Sequence, residues 1–157
     1  MKEAKLLLER AKSKLSAAKV LFKEGYYDDA VSRAYYSMYF AARALLLTRD
    51  IVPKTHKGLI FKFGLEFIDR GFIERTYGKA LNVAKEDREE ADYSIVCEIM
   101  EEEAESVIKD AEKFLERIKE AIREVDTETW KSVTSPQKAS IQEDGSNTSR
   151  RRGMKII

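Results

Sequence analysis

Arg33-Ala-Tyr-Tyr-Ser-Met-Tyr-Phe-Ala-Ala-Arg-Ala-Leu45 is the stretch whose reading decides the fold. Val31, Tyr35, Met38, Ala42 and Leu45 recur at steps of four and three, the spacing that aligns one face of an α-helix. Arg33, Tyr36, Phe40 and Arg43 recur at the same steps on a neighbouring face. A surface helix of a globular domain needs only one apolar face. Rings interleaved with arginines on a second face predict a second helix layer, a nucleotide or a partner. A helix engaged on two faces belongs inside a bundle.

The same rhythm runs outward in both directions. Helix one is expected from Lys2 to Lys23, where Ala4, Leu8, Ala11, Leu15, Ala18 and Phe22 form a heptad-like seam. Gly25 supplies a stop. Helix two is expected from Asp28 to Thr48, with Asp28 and Asp29 placed to cap it and to favour its N-terminus. Residues 50–54, with Pro53, form a connector. Thr55 can cap helix three, His56 to Arg70, with Leu59, Ile60, Phe63 and Phe67 inward and Gly71 as its breaker. Helix four is expected from Ile73 to Glu90, on the stripe Ile73, Tyr77, Ala80, Leu81 and Ala84. A bend follows over 91–96. Helix five, Glu98 to Val125, keeps its four-three rhythm from Met100 through Val125. Alternating apolar runs and hairpin signals are nearly absent.

These patterns predict an all-α fold: an up-and-down antiparallel bundle of four long helices plus one additional helix, over residues 1–127. Residues 128–157 read as a polar, basic C-terminal tail, flexible by composition. The 157-residue chain carries a net charge of +1. Residues 132–157 hold +3 of that, which leaves −2 for the remainder. Bulk charge therefore does not announce nucleic acid, and any such contact must be a local patch. There is no apolar run long enough to span a membrane. Met1-Lys-Glu-Ala-Lys leads straight into a charged amphipathic pattern, so the expected compartment is the cytoplasm. One cysteine, Cys97, fits a reducing compartment and is expected to be buried and inert. Up to Lys131 there is no glutamine and only one asparagine, Asn82, beside abundant Glu and Lys, a thermophile-like composition.

Familiar catalytic motifs are missing: no Gly-rich phosphate loop, no nucleophile elbow and no Cys/His cluster. The single histidine excludes a two-histidine metal site. Glu101, Glu102, Glu103 and Glu105 read as a solvent-facing run that favours the start of helix five. No metal and no cofactor are expected. Two candidate sites remain. Arg88 continues the stripe Ile73, Tyr77, Leu81, Ala84, so a guanidinium points along an apolar face and needs a partner. Asp92, four residues on, closes an ion pair in one reading. In the other, Arg88 stands at a groove to meet phosphate, with Tyr93 beside it. His56 sits in Pro53-Lys-Thr-His-Lys-Gly58 at the first turn of helix three. There it serves either a capping turn or, with Lys54 and Lys57, an anion site.

Three stretches together resemble the HEPN domain family, in particular its small stand-alone prokaryotic members. They are Ala30-Val-Ser-Arg-Ala-Tyr-Tyr-Ser-Met-Tyr-Phe-Ala-Ala-Arg-Ala-Leu45, Thr55-His-Lys-Gly-Leu-Ile60 and Arg88-Glu-Glu-Ala-Asp-Tyr93. The resemblance covers residues 3–125. It implies a helical bundle that forms a homodimer and is paired with a minimal nucleotidyltransferase as toxin and antitoxin. Active members are metal-independent ribonucleases, whose signature is an arginine and a histidine with four to six residues between them. Arg88 matches that arginine. Tyr93 stands where the commonest spacing has histidine, and no histidine follows. Tyrosine, with a pKa near ~10, is a poor base at neutral pH, and Asp92 a weak one. Arg88, Asp92 and Tyr93 are therefore the candidate catalytic set of a weak ribonuclease. Arg33, Tyr36, Arg43, His56 and Lys57 are the candidate ligand-binding set. Nucleotide or RNA binding is favoured over cleavage, and a helical interaction scaffold without a nucleotide is the third reading. The second stripe of helix two, Arg33, Tyr36, Phe40 and Arg43, is expected to face helix four and the dimer groove near Arg88.

Overall fold

The computed structural model describes residues 2–93, 95 and 98–126. The expectations for the tail (128–157) and for Cys97 lie outside the described residues. Five α-helices and no strand occur among the described residues, so the fold is all-α. They are α1 (Lys2–Lys23), α2 (Tyr27–Leu47), α3 (His56–Phe63), α4 (Arg75–Tyr93) and α5 (Glu101–Asp126). None of them is long and apolar enough to cross a membrane.

Helix α2 is the hub and packs against α1, α3, α4 and α5. Its sequence carries a third stripe for this purpose. Ala30, Ala34, Ser37, Ala41 and Ala44 share a face at four-three spacing and are all fully buried. Ser37 marks what that face meets, because its hydroxyl donates to the Ala11 carbonyl of α1 at 2.8 Å. Ala4, Ala11 and Ala18 are the buried small residues on the α1 side. Short side chains on both helices let the backbones approach closely enough for that bond. The opposite faces of α2 bury Tyr35, Met38 and Leu45 with Phe63, Phe67, Phe114 and Ile118.

Three helical segments end by the same device, a residue in the left-handed region with a bond from the following amide back to the carbonyl five residues earlier. Gly25 has φ 88°, with Tyr26 N bonded to Leu21 O at 2.9 Å. Gly71 has φ 84°, with Phe72 N bonded to Phe67 O at 2.9 Å. After α2 the position is taken by Asp50, φ 60°, with Ile51 N bonded to Leu46 O at 3.1 Å. A side chain there is strained where glycine is not. Asp50→Gly is therefore expected to raise stability by about 0.5–1 kcal/mol, read as a higher urea midpoint at unchanged slope.

The start of α2 differs from expectation. Tyr26 precedes the helix without a side-chain cap, and Asp28 already lies in the first turn. Its Oδ1 instead accepts the Ile99 amide at 3.3 Å, which ties the approach to α5 onto α2. Helix three also differs. Thr55 caps it as expected, accepting from Gly58 N at 2.9 Å. Regular α-geometry ends at Phe63, and Gly64–Ile68 form a π-turn closed by Asp69 N to Gly64 O at 2.8 Å. The wider turn aims both Phe67 and Ile68 inward beside Phe63, all three at most 3 % exposed. Gly78 of α4 seats on this turn: a Cβ there would lie 3.3 Å from Ile68 Cγ1. Arg117 of α5 holds the approach to α4, donating to Glu74 Oε1 at 2.8 Å and to the Phe72 carbonyl at 3.1 Å.

Candidate functional site

The buried stripe of α4, Leu81 and Ala84, leads to Arg88. Its guanidinium crosses to α2, where Nη2 donates to the Tyr36 hydroxyl at 3.1 Å. It lies 5.4 Å from the Tyr36 ring centre and 5.8 Å from that of Tyr35. Nε stands 3.1 Å from Asp92 Oδ2. Yet Nε is buried and makes no well-aligned hydrogen bond. Distance satisfies the charge while direction leaves the N–H short of a partner. Side-chain exposure is 18 % for Arg88 and 35 % for Asp92, so the pair sits at a boundary rather than in the core. The ion pair with Asp92 is present, and the guanidinium also lies within cation–π reach of two tyrosine rings.

The Thr55 cap delivers His56 to this place. As the first residue of α3, its imidazole reaches α2, with Nδ1 2.7 Å from the Tyr35 hydroxyl. The ring stacks on Tyr39 at 4.2 Å and 17° and meets Tyr36 edge-on at 5.6 Å. Burial, then the positive charges of Arg88 and Lys85, hold the His56 pKa below its ordinary value. Burial pushes the Tyr35 phenol well above its ordinary range, so it keeps its proton. Lys85 is paired with Glu89 at 2.7 Å. The fold thus assembles Tyr35, Tyr36 and Tyr39 of α2, His56 of α3 and Arg88 with Asp92 of α4.

The other sequence candidates stand apart. Tyr93 is 73 % exposed near the end of α4. Arg33 and Lys57 are exposed. Arg43 lines an apolar cleft of about 350 Å³ with Glu3, Leu6, Leu7, Leu47, Ile51 and Val52. Phe40 lies under the Arg10 guanidinium of α1, 5.2 Å from ring to cation. The expectation that the whole second stripe faces helix four therefore holds at Tyr36 only, and the stripe turns toward α1 beyond it. Tyr35 and Tyr39 were missed as site residues. The available signal was Tyr35 itself, since a core tyrosine must find a partner for its hydroxyl.

A second polar cluster lies where α4 meets α5. Carboxylate oxygens of Asp87, Glu90 and Glu103 approach within 4.8 Å of one another. Glu103 faces water as expected but also accepts the Met100 amide at 2.9 Å. Burial first, then Glu103, Glu90 and Glu86, raise the Asp87 pKa from 3.8 to about 6. A carboxyl with a raised folded-state pKa binds more protons folded than unfolded, so its ionisation costs stability, fully so above the folded pKa. Asp87→Asn is accordingly expected to stabilise at pH 7. After discounting for its half-exposed position, the gain is about 1 kcal/mol. The gain should fade as pH falls through about 6 toward 3.8, a trend that denaturation midpoints across this window measure.

The chain is a small all-α bundle that brings an arginine and a histidine to one aromatic wall. The HEPN domain profile matches residues 4–121, and the chain belongs to the HEPN domain family. Its relatives include a Methanocaldococcus jannaschii protein named "Putative toxin MJ0605". It is 47 % identical over 123 residues, 78 % of this chain and 91 % of that protein. A second from the same organism, "Putative toxin MJ0142", is 39 % identical over 118 residues, 75 % and 80 % of the two chains. A UPF0332 protein of Archaeoglobus fulgidus is 35 % identical over 122 residues, 78 % and 97 % of the two chains.

Proposed function

We propose that this protein is a nucleotide- or RNA-binding HEPN module that acts, as a homodimer, with a minimal nucleotidyltransferase in a toxin–antitoxin-like pair. The observation that carries the binding role is Arg88, a cation bonded to the Tyr36 hydroxyl and lying near two ring centres, 5.4 Å from Tyr36 and 5.8 Å from Tyr35. Guanidinium forks suit phosphate, and neighbouring rings suit bases. The names of the Methanocaldococcus relatives support the toxin–antitoxin setting. The partner and the dimer rest on the family alone. One observation favours weak metal-independent cleavage as a second reading: His56 joins Arg88 through the fold although no histidine follows Arg88 in sequence.

A titration with short single-stranded RNA and with mononucleotides, in EDTA and at two salt concentrations, separates these readings. Binding that weakens as salt rises, with intact RNA, supports the module. Products ending in cyclic phosphate move the assignment to the ribonuclease. Unchanged partner capture without any nucleotide binding leaves the scaffold.

A further inference from the structure

We propose that Tyr35 fixes His56 in the tautomer protonated at Nε2, which makes His56 a neutral hydrogen-bond donor at the Arg88 site rather than a base. The ligand half of this inference rests on the nucleotide-binding reading above; the tautomer half does not.

The argument starts from the hydroxyl. Tyr35 is fully buried, and its Oη lies 2.7 Å from His56 Nδ1. A buried hydroxyl left without an acceptor is costly, and Nδ1 is the acceptor placed before it. A phenol that donates to Nδ1 requires a lone pair there, and a neutral imidazole then carries its hydrogen on Nε2. Tyr39 stacks on one face of the ring and Tyr36 meets it edge-on, which holds the imidazole against α2 beside the Tyr35 hydroxyl. The surrounding charges oppose a second proton. From α4 the ring faces Arg88 and Lys85, whose acidic partners Asp92 and Glu89 are already engaged. From α2 it faces the three tyrosines, and Lys57 follows it on α3.

This divides the work at the site. Arg88 supplies the charge for a phosphoryl oxygen, and His56 supplies a directional N–H. Tyr35 is a positioning residue that acts through His56. A base role would first require Tyr35 to give up its place as donor, so a phosphate held here is gripped rather than attacked.

The chain's single histidine makes the test unambiguous, since its imidazole nitrogen-15 signals need no assignment. Wild-type protein at pH 7.5 should show an unprotonated Nδ1 and a protonated Nε2. In Tyr35→Phe, which keeps the ring, the two tautomers should mix. A wild-type Nδ1–H signature, or a tautomer unmoved by Tyr35→Phe, overturns the inference. The donor role is read with a short single-stranded RNA. His56→Gln, whose amide can donate in place of Nε2–H, should keep affinity within about threefold, while His56→Ala should lose about tenfold. Equal losses in both variants overturn the donor role. If wild-type protein binds no RNA, the binding reading falls, and the nitrogen-15 spectrum still decides the tautomer.

Discussion

Arg88→Ala is expected to weaken binding of short single-stranded RNA by roughly ten- to a hundredfold while leaving the bundle folded. A hydrogen bond to a charged group contributes about 1.5–3 kcal/mol, and each ~1.4 kcal/mol is tenfold in affinity. The loss should also be visible in salt dependence. Each phosphate contact contributes a slope of about −0.7 for single strands, so the variant should bind with a slope shallower by about that amount. Stability should change little, because Asp92 is 35 % exposed and can return to water when its partner goes. Arg88→Lys is the sharper control. It keeps the charge but loses the guanidinium fork that bonds the Tyr36 hydroxyl, so it should recover only part of the affinity. Affinity and slope unchanged in Arg88→Ala, with melting also unchanged, would remove Arg88 from any ligand role.

Phe114→Ala should be the most destabilising single change, at about 3–5 kcal/mol. Phe114 is fully buried on α5, with the Phe63 ring of α3 at 5.6 Å and the Tyr77 ring of α4 at 6.2 Å. It is the common neighbour of the two helices that carry His56 and Arg88. A domain of this size has about 5–15 kcal/mol in total, so the variant should approach or cross the unfolding threshold at 37 °C. Chemical denaturation measures it directly. Phe114→Leu leaves a smaller void and should lose less than half as much. A loss below about 1 kcal/mol for the alanine variant would mean that the joint repacks around the gap.

Much of the bundle was legible because helices are local. The Lys2–Lys23 bounds of α1 follow from its seam and the left-handed Gly25. The Thr55 cap also followed from sequence, because its bond to the Gly58 amide lies within four consecutive residues. The expected Asp28 cap failed because its carboxylate found a tertiary partner in the Ile99 amide, which no local rule sees. The π-turn was missed because Phe63 and Phe67 satisfy ordinary helical spacing, and only the burial of Ile68 demands the extra width. At the site, the apolar stripe led to Arg88 by periodicity. Its partner Tyr36 lies 52 residues away and the Tyr35–His56 bond spans 21, separations that only packing resolves. The second stripe of α2 misled in part because one face of a helix can border two neighbours. Tyr36 meets α4, whereas Phe40 lies under Arg10 of α1.

The π-turn at Gly64–Ile68 also bears on how this chain could change length. A π-turn holds an additional residue compared with an α-turn, so it is a built-in insertion within an otherwise regular helix. Removing one residue there would let the backbone relax into α-geometry without breaking the helix. The residues that follow would keep their phase about the axis, because the wide turn already absorbs the additional one, and Phe72 would stay in its buried place. What the deletion removes is one inward side chain, since Phe67 and Ile68 could no longer both turn toward the core. The segment can thus lose a residue without shifting the frame of the packing beyond it.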